Sequence, residues 1–288
     1  MVNIISDQGG IILVSISEIT VTEILIILFL IFFLYAFVYP QSQLKKIKMQ
    51  RLSMIKRMER MWGTKVLTMI HRKEAVSMLG FPVYQYIDVE DAEQVLRAIR
   101  ETGDRPIDII MQTPGGQMHA SIQIARALNN HKEKVRIMIP HYCMSGGTII
   151  ALAADEILMD PDAVIGPIDP QVGDLIRGTY PAPSWIYAAE KKGMDADDTT
   201  IIMSEISKKA MELTKDVIME LLEDKIQDEE KRNSVAQKLL SGEMIHVTPI
   251  SAKEAIELGL PVSTELPSEV HDFMKFFRSA KMSVEYIE

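Results

Sequence analysis

The stretch from Ile107 to Gln171 constrains the fold most: two strand-like runs each end in a glycine-bearing turn, and each turn opens onto a helix-like segment. Ile107, Ile109, Ile110 and Met111 form an apolar run bounded by Pro106 and Gly115, as expected of a strand buried on both faces of a parallel sheet. Gly115 and Gly116 give the backbone freedom to turn and leave their amides uncovered by any side chain. Met118, Ile122, Ile124, Ala125 and Leu128 then recur at helical spacing, predicting a crossover helix from Gln117 to Asn130. Val135, Ile137 and Ile139 alternate into Pro140, a second strand. The turn from Tyr142 to Gly147 follows, and then an apolar helix from Thr148 to Ala154.

A serine at a strand-to-helix turn has its hydroxyl lifted out of the sheet. Ser145 is therefore the candidate nucleophile for acyl transfer, with the Gly146 N–H and one from the Gly115-Gly116 turn as oxyanion donors. A phosphate cradle is disfavoured, since no dinucleotide or P-loop glycine pattern follows a strand here. Cys143 reads as a buried small apolar residue rather than a nucleophile.

Thr113-Pro114-Gly115-Gly116, then Ser145-Gly146-Gly147 and the run Ala151 to Ile157, resemble the Clp protease and signal peptide peptidase A superfamily. Ile165 to Gln171 and Ile250 to Ala255, through Gly259 to Val262, are similar to its membrane-anchored serine dehydrogenase proteinase branch. The resemblance runs from about Lys65 to Val262. It implies an α/β domain of repeated ββα units, of the Clp protease/crotonase-like kind, with Ser145 as nucleophile and Gly116 and Gly146 as oxyanion donors. It also implies a ring-like homo-oligomer acting on polypeptides.

The general base is less legible. Where Clp protease carries a histidine after its serine, this chain has Asp169, which is expected to orient groups near the site. Signal peptide peptidase A takes a lysine from a later segment; this chain has none at the equivalent place, and Lys208, slightly beyond it on the long helix, is the first candidate. Lys209, Lys191 and Lys192 are alternatives, as is His119 at the start of the helix beside the oxyanion turn, where a neutral imidazole is favoured. A lysine base must be desolvated to become neutral. His141 and His246 read as structural. The six histidines show no metal-ligand spacing, and neither a metal nor a cofactor is expected.

Residues 1–44 contain no Lys or Arg, and Ile24 to Val38 is uninterrupted apolar sequence. Extended across Glu23, it approaches the ~20 residues a membrane span needs. A cleaved signal peptide would carry positive charge before the apolar run, so an uncleaved anchor in the lipid bilayer is expected. Lys45, Lys46, Lys48, Arg51, Lys56, Arg57 and Arg60 follow it on one side. That asymmetry predicts a single-pass protein of the cell membrane, N-terminus outside and catalytic domain in the cytoplasm, against the outer-face placement of some relatives. The net charge of −9 gives no basic surface for nucleic acid, and a lone cysteine excludes an internal disulfide.

The expected organisation is an extracytoplasmic segment 1–18, an anchor 19–40, a basic juxtamembrane helix 41–64, a Clp-like domain 65–265 and a C-terminal helix and tail 266–288. Within the domain, Lys65 to Ile70 reads as a strand and Asp88 to Glu101 as a capped helix. Glu156 to Met159 and Ala163 to Ile165 read as strands continuing the same layer. Gly173 to Pro183 reads as a loop at the mouth of the site. Asp195 to Asp224 reads as a long helix with Ile201, Ile202, Ile206, Ala210, Leu213, Val217, Leu221 and Leu222 inward. Helices are also expected at Glu229 to Leu240, Ala252 to Leu258 and Ser268 to Phe277.

The expected activity is a membrane-anchored serine endopeptidase, a Ser-Lys enzyme acting on membrane proteins or their fragments. Two other readings stand beside it: an acyl-CoA hydratase or isomerase, which needs no serine between the glycines, and a catalytically inactive membrane scaffold on the same fold.

Overall fold

The computed structural model describes residues 2–5, 11–14, 20–71, 85–174, 178–240 and 248–277. His246, residues 175–177 of the expected loop, parts of segment 1–18 and residues 278–288 of the tail lie outside these. The chain divides into two compact units, Met1–Ser53 and Met54–Glu288.

In the first unit, β1 (Val2–Ile5) and β2 (Ile11–Val14) form an antiparallel hairpin. α1 (Val21–Phe33) begins at a capping box in which Thr20 and Glu23 bond each other's backbone amides, satisfying donors that a helix start leaves open. A π-helical turn, Leu34–Val38, follows, and α2 (Tyr39–Trp62) begins after it. Among the described residues no helix is long and apolar enough to cross a membrane, so the expected anchor at 19–40 has no support from the helix lengths. The apolar side chains of α1 are nevertheless all outward-facing, from Phe33 at 44% exposed to Val21 at 74%.

The second unit starts with residues 54–62 of α2 and β3 (Lys65–Ile70). The chain then runs through α3 (Val89–Thr102), β4 (Ile107–Gln112), α4 (Met118–Asn129), β5 (Val135–Ile139), β6 (Tyr142–Cys143), α5 (Gly146–Leu152), β7 (Glu156–Met159) and β8 (Val164–Ile165). Next come β9 (Gln171–Asp174), β10 (Gly178–Pro181), α6 (Ala182–Lys192), α7 (Asp198–Leu222) and α8 (Glu229–Leu240). β11 (Ile250–Ser251), α9 (Ala252–Glu257), β12 (Val262–Ser263) and α10 (Ser268–Met274) complete it.

Among the described residues, five strands make a parallel sheet in the order β12-β7-β5-β4-β3. Alternation along each strand divides its side chains between the two faces. Ile109, Ile137 and Ile157 enter the larger cluster with Ala125, Ile150 and Leu221. Ile110, Met138 and Leu158 face the other way and meet Met58, Val270 and Phe273. Each face is covered by helices, which is why β4 is buried along its whole length.

Two expectations are corrected. β8 does not continue the layer of β7; it pairs in parallel with β6 and antiparallel with β11 in a smaller sheet. The segment read as a loop forms the β9–β10 antiparallel hairpin, whose Gly173 and Gly178 concealed the strand pattern.

α7 is corrected too. Val217, Leu221 and Leu222 are buried as expected, but Ile201, Ile202, Ile206 and Leu213 are exposed, and Thr200, Ser204, Ser207 and Thr214 are buried instead. α7 packs along α6 and also against α4 and α5, and small side chains on its buried face let helix backbones approach. The larger aliphatic residues are left outside.

Asp108 is fully buried at the start of β4 and receives Nε of Arg136 at 2.6 Å on Oδ1 and Nη2 at 2.8 Å on Oδ2. The Thr64 hydroxyl also donates to Oδ2. Removing one partner leaves a buried charge uncompensated. Arg136→Ala is therefore expected to destabilise the second unit by about 3 kcal/mol, read as a lower urea midpoint at unchanged slope.

Candidate active site

β4 and the segment after β5 are drawn together just beyond their ends. Thr113 N–H donates to Tyr142 O at 3.2 Å, and Met144 N–H donates to Thr113 O at 3.0 Å. Cys143 thereby bridges to Thr113, and the Thr113–Gly116 turn lies against the Met144–Gly147 turn. Gly115 adopts φ +100°. A β-carbon on it would lie 2.8 Å from both Met144 O and Ser145 Cβ, so the positive φ and the close approach both require glycine.

Ser145 has φ 51° and ψ −119°, and among the described residues no other non-glycine has positive φ. It is the N-cap of α5, a position where serine ordinarily bonds back to the helix amides, yet it makes no such bond. The strained backbone turns the hydroxyl away from capping. Such outliers persist only where surrounding structure enforces them, and here the Thr113 bridge and the buried helix α5 do so. A serine on a sharp, strained strand-to-helix turn is the geometry of a nucleophile elbow. The residue is half-buried, within reach of solvent.

The two amides named from sequence lie close to it and to each other. The position a Gly146 side chain would occupy is 3.5 Å from the Gly116 nitrogen. Among the described residues neither amide donates to a protein acceptor: Gly146 opens α5, where intrahelical partners are lacking, and Ile87 bonds the residues either side of Gly116. Ile87 N–H donates to Gly115 O at 2.9 Å, and Gln117 N–H donates to Ile87 O at 2.8 Å. Two unengaged N–H groups beside an uncapped hydroxyl can receive the negative oxygen of a tetrahedral adduct.

The other candidates lie elsewhere. Asp169 is buried, and its Oδ2 accepts from the Gln171 side chain at 2.8 Å. Lys208 is exposed on α7, one turn on from the buried Ser204 and so at the edge of its buried face. Lys209 faces Glu205 at 3.7 Å. Lys192 donates to Asp197 at 2.8 Å, and Lys191 lies over the Tyr187 ring. His119 and His141 are exposed. The fold thus gathers Gly116, Ser145 and Gly146, and among the described residues no hydrogen bond joins any of these lysines to Ser145. Burial pushes the Cys143 thiol far above its ordinary range, which removes it as a competing nucleophile.

Sequence reading missed His71. It follows β3, is 7% exposed, and its N–H donates to Gln112 O at 2.7 Å. Its Nδ1 lies 2.8 Å from Thr113 Oγ1 and its Nε2 lies 3.2 Å from Asp91 Oδ2. Thr113 Oγ1 in turn accepts the Gly115 N–H at 3.1 Å. Burial raises the Asp91 carboxyl, but the bond and charge of His71 and the bonds from Asp88 outweigh it, leaving Asp91 below the ordinary carboxylate value. A lone histidine after a strand carries no periodic signal, so only its partners identify it.

A family model described as ClpP-like SDH-type serine proteinase matches residues 15–288. Two uncharacterized proteins of Methanocaldococcus jannaschii are each 46% identical, one over 90% of this chain and 88% of its own length, the other over 85% of both. Among solved structures, a membrane-bound stomatin-specific protease is similar at 18% identity and TM-score 0.46, covering 74% of this chain and 84% of that one. ClpP1 from Listeria monocytogenes is similar at 18% identity and TM-score 0.42, over 70% of this chain and 92% of its own.

Proposed function

Because this chain belongs to the ClpP-like SDH-type serine proteinase family, we propose that it hydrolyses peptide bonds with Ser145 as nucleophile. The observation that carries this reading is the uncapped Ser145, held at φ 51° beside the Gly116 and Gly146 amides. Oγ attacks the scissile carbonyl carbon as its proton passes to a base. The carbonyl oxygen, now negative, is received by the two N–H groups. The adduct collapses, the amine leaves with the proton, and water then cleaves the acyl-enzyme by the reverse sequence.

The base in this proposal is a lysine, with Lys208 first among the candidates. Thr214 on α7 bonds the Met118 sulfur at 3.7 Å, which sets this helix beside the start of α4, next to Gln117. Lys208 lies earlier on the same helix and is exposed. A neutral lysine requires desolvation, so this role needs a cover over Lys208, either bound peptide or a neighbouring copy in a homo-oligomer. Asp169, held by Gln171, is assigned to orienting groups of the site.

The bilayer anchor belongs to the same proposal. It is supported by the outward-facing apolar side chains of α1, which are stable in lipid but costly in water, and by the cluster Lys45 to Arg60 after them. The charge asymmetry supports an N-terminus outside and a catalytic unit in the cytoplasm. That position favours membrane proteins or their fragments as substrates.

The test is labelling by a fluorophosphonate probe together with turnover of a fluorogenic peptide. Ser145 is expected to carry the label. Lys208→Ala is expected to lower kcat by about 10²–10⁴-fold, the range of general-base contributions, while Lys191→Ala, Lys192→Ala and Lys209→Ala change it only a few-fold. A large loss in one of those three would move the base to that residue, and an unlabelled Ser145 would end the peptidase reading.

A further inference from the structure

A chain of hydrogen bonds links the oxyanion turn to the start of α3. It runs from Asp91 through His71 to Thr113, and ends on the Gly115 amide, the peptide unit preceding the proposed oxyanion donor Gly116. We infer that His71 is a positioning residue for catalysis, setting the oxyanion turn through the Thr113 hydroxyl and passing its own protonation state to that turn. The inference rests on the peptidase reading for its effect on rate, but its structural part stands alone.

The directions of the bonds are fixed by what each atom can give. Oγ1 of Thr113 accepts the Gly115 N–H at 3.1 Å. With a neutral ring, Nε2–H donates to the Asp91 carboxylate, and Nδ1 accepts the Thr113 hydroxyl proton. Every donor then has an acceptor. A second proton on Nδ1 reverses that last bond: the ring donates, and the Thr113 hydroxyl must turn to Gly115 O, 3.4 Å away. That carbonyl already accepts from Ile87 N–H at 2.9 Å. Protonation therefore loads a long, competing bond onto the carbonyl of the peptide unit that carries the Gly116 N–H.

The arrangement is rigid enough to transmit this. Thr113 is fully buried and His71 nearly so. Asp91 Oδ2 also accepts the Asp88 N–H at 3.2 Å, within the capping box of α3. Among the described residues, the titratable groups facing His71 are Asp91, with Asp88 and Tyr86 lining the same cavity of about 660 Å³. Tyr142 approaches from the nucleophile side, its hydroxyl donating to His71 O at 3.4 Å.

The test uses the full-length chain labelled with [15N]histidine and [15N]glycine, with probe labelling of Ser145 measured in parallel. The His71 ring is expected as the Nε2–H tautomer. The Gly115 amide signal is expected to move with pH in step with the His71 ring, and Thr113→Val is expected to abolish that coupling while Thr113→Ser keeps it. For function, His71→Gln is expected to slow fluorophosphonate labelling by about 10–100-fold, the usual scale for a group that orients a reacting one, with the matching pH inflection gone. His71→Asn, which shortens the side chain, serves as a second variant if His71→Gln does not fold. A Gly115 amide indifferent to the His71 titration, or full labelling rates in folded His71 variants, overturns the inference. If Ser145 in the parent chain takes no label, the peptidase reading falls, and the Gly115 signal still decides whether the relay exists.

Discussion

Ser145→Ala and Ser145→Gly are both expected to lose peptide hydrolysis by about 10⁴–10⁶-fold, the scale seen when a serine nucleophile is removed. The two variants differ in stability. Alanine keeps a β-carbon at φ 51°, a conformation costing an L-residue roughly 1–2 kcal/mol. Glycine relieves that strain and gives back part of the gain through its freer unfolded chain. Ser145→Gly should therefore be more stable than Ser145→Ala by about 0.5–1 kcal/mol, measured as urea midpoints of the two proteins. Equal stabilities would mean that the elbow stores no strain and that the positive φ is an ordinary turn. Residual hydrolysis near the parent rate in Ser145→Ala would remove Ser145 from the mechanism.

Gly116→Ala is the second change with a large expected effect. A β-carbon there would lie 2.2 Å from Ile87 O, 2.4 Å from Ile87 N and 2.7 Å from Ile87 Cα. All three are backbone atoms, so no rotamer change makes room. The bonds from Ile87 N–H to Gly115 O and from Gln117 N–H to Ile87 O must shift with the turn. Overpacking of this kind costs roughly 1–3 kcal/mol, and displacing an oxyanion donor costs about 10²–10³-fold in kcat. Gly146→Ala provides the contrast. Its β-carbon meets the Ser121 hydroxyl at 2.3 Å, a side chain that can move or be trimmed. Ser121→Ala is expected to restore much of the stability lost in Gly146→Ala, whereas no neighbouring truncation should rescue Gly116→Ala. Thermal melts and peptide kinetics on the single and double variants separate these outcomes.

The stretch Ile107 to Ala154 was legible because its signals are local. Apolar runs bounded by proline and glycine became β4 and β5, and the helical period after each glycine turn became α4 and α5. Helix starts were also local: Asp88 with Asp91 and Ser251 with Glu254 form capping boxes at α3 and α9. The α7 face was misread because the period of a helix shows that it has two faces, not which one a neighbour covers. Helices α4, α5 and α6 all touch α7, and Thr200, Ser204 and Ser207 are among the side chains buried there.

The candidate site divides along the same line. Ser145, Gly116 and Gly146 are named by the glycine turns flanking them, because tight turns demand particular residues at particular positions. His71 stands 42 residues before Thr113, and nothing in its immediate neighbours marks it. Lys208 rests on the family resemblance alone, and the fold leaves it exposed.

By itself the sequence determined the strands, helices and turns from Ile107 to Ala154, and where a hydroxyl can stand between two bare amides, since backbone sterics and apolar period act over a few residues. Only the tertiary structure decided the positive φ of Ser145, the hidden face of α7 and the bond from His71 to the oxyanion turn. Each of these depends on atoms brought together by packing across the sheet, and packing distance is not encoded in sequence separation.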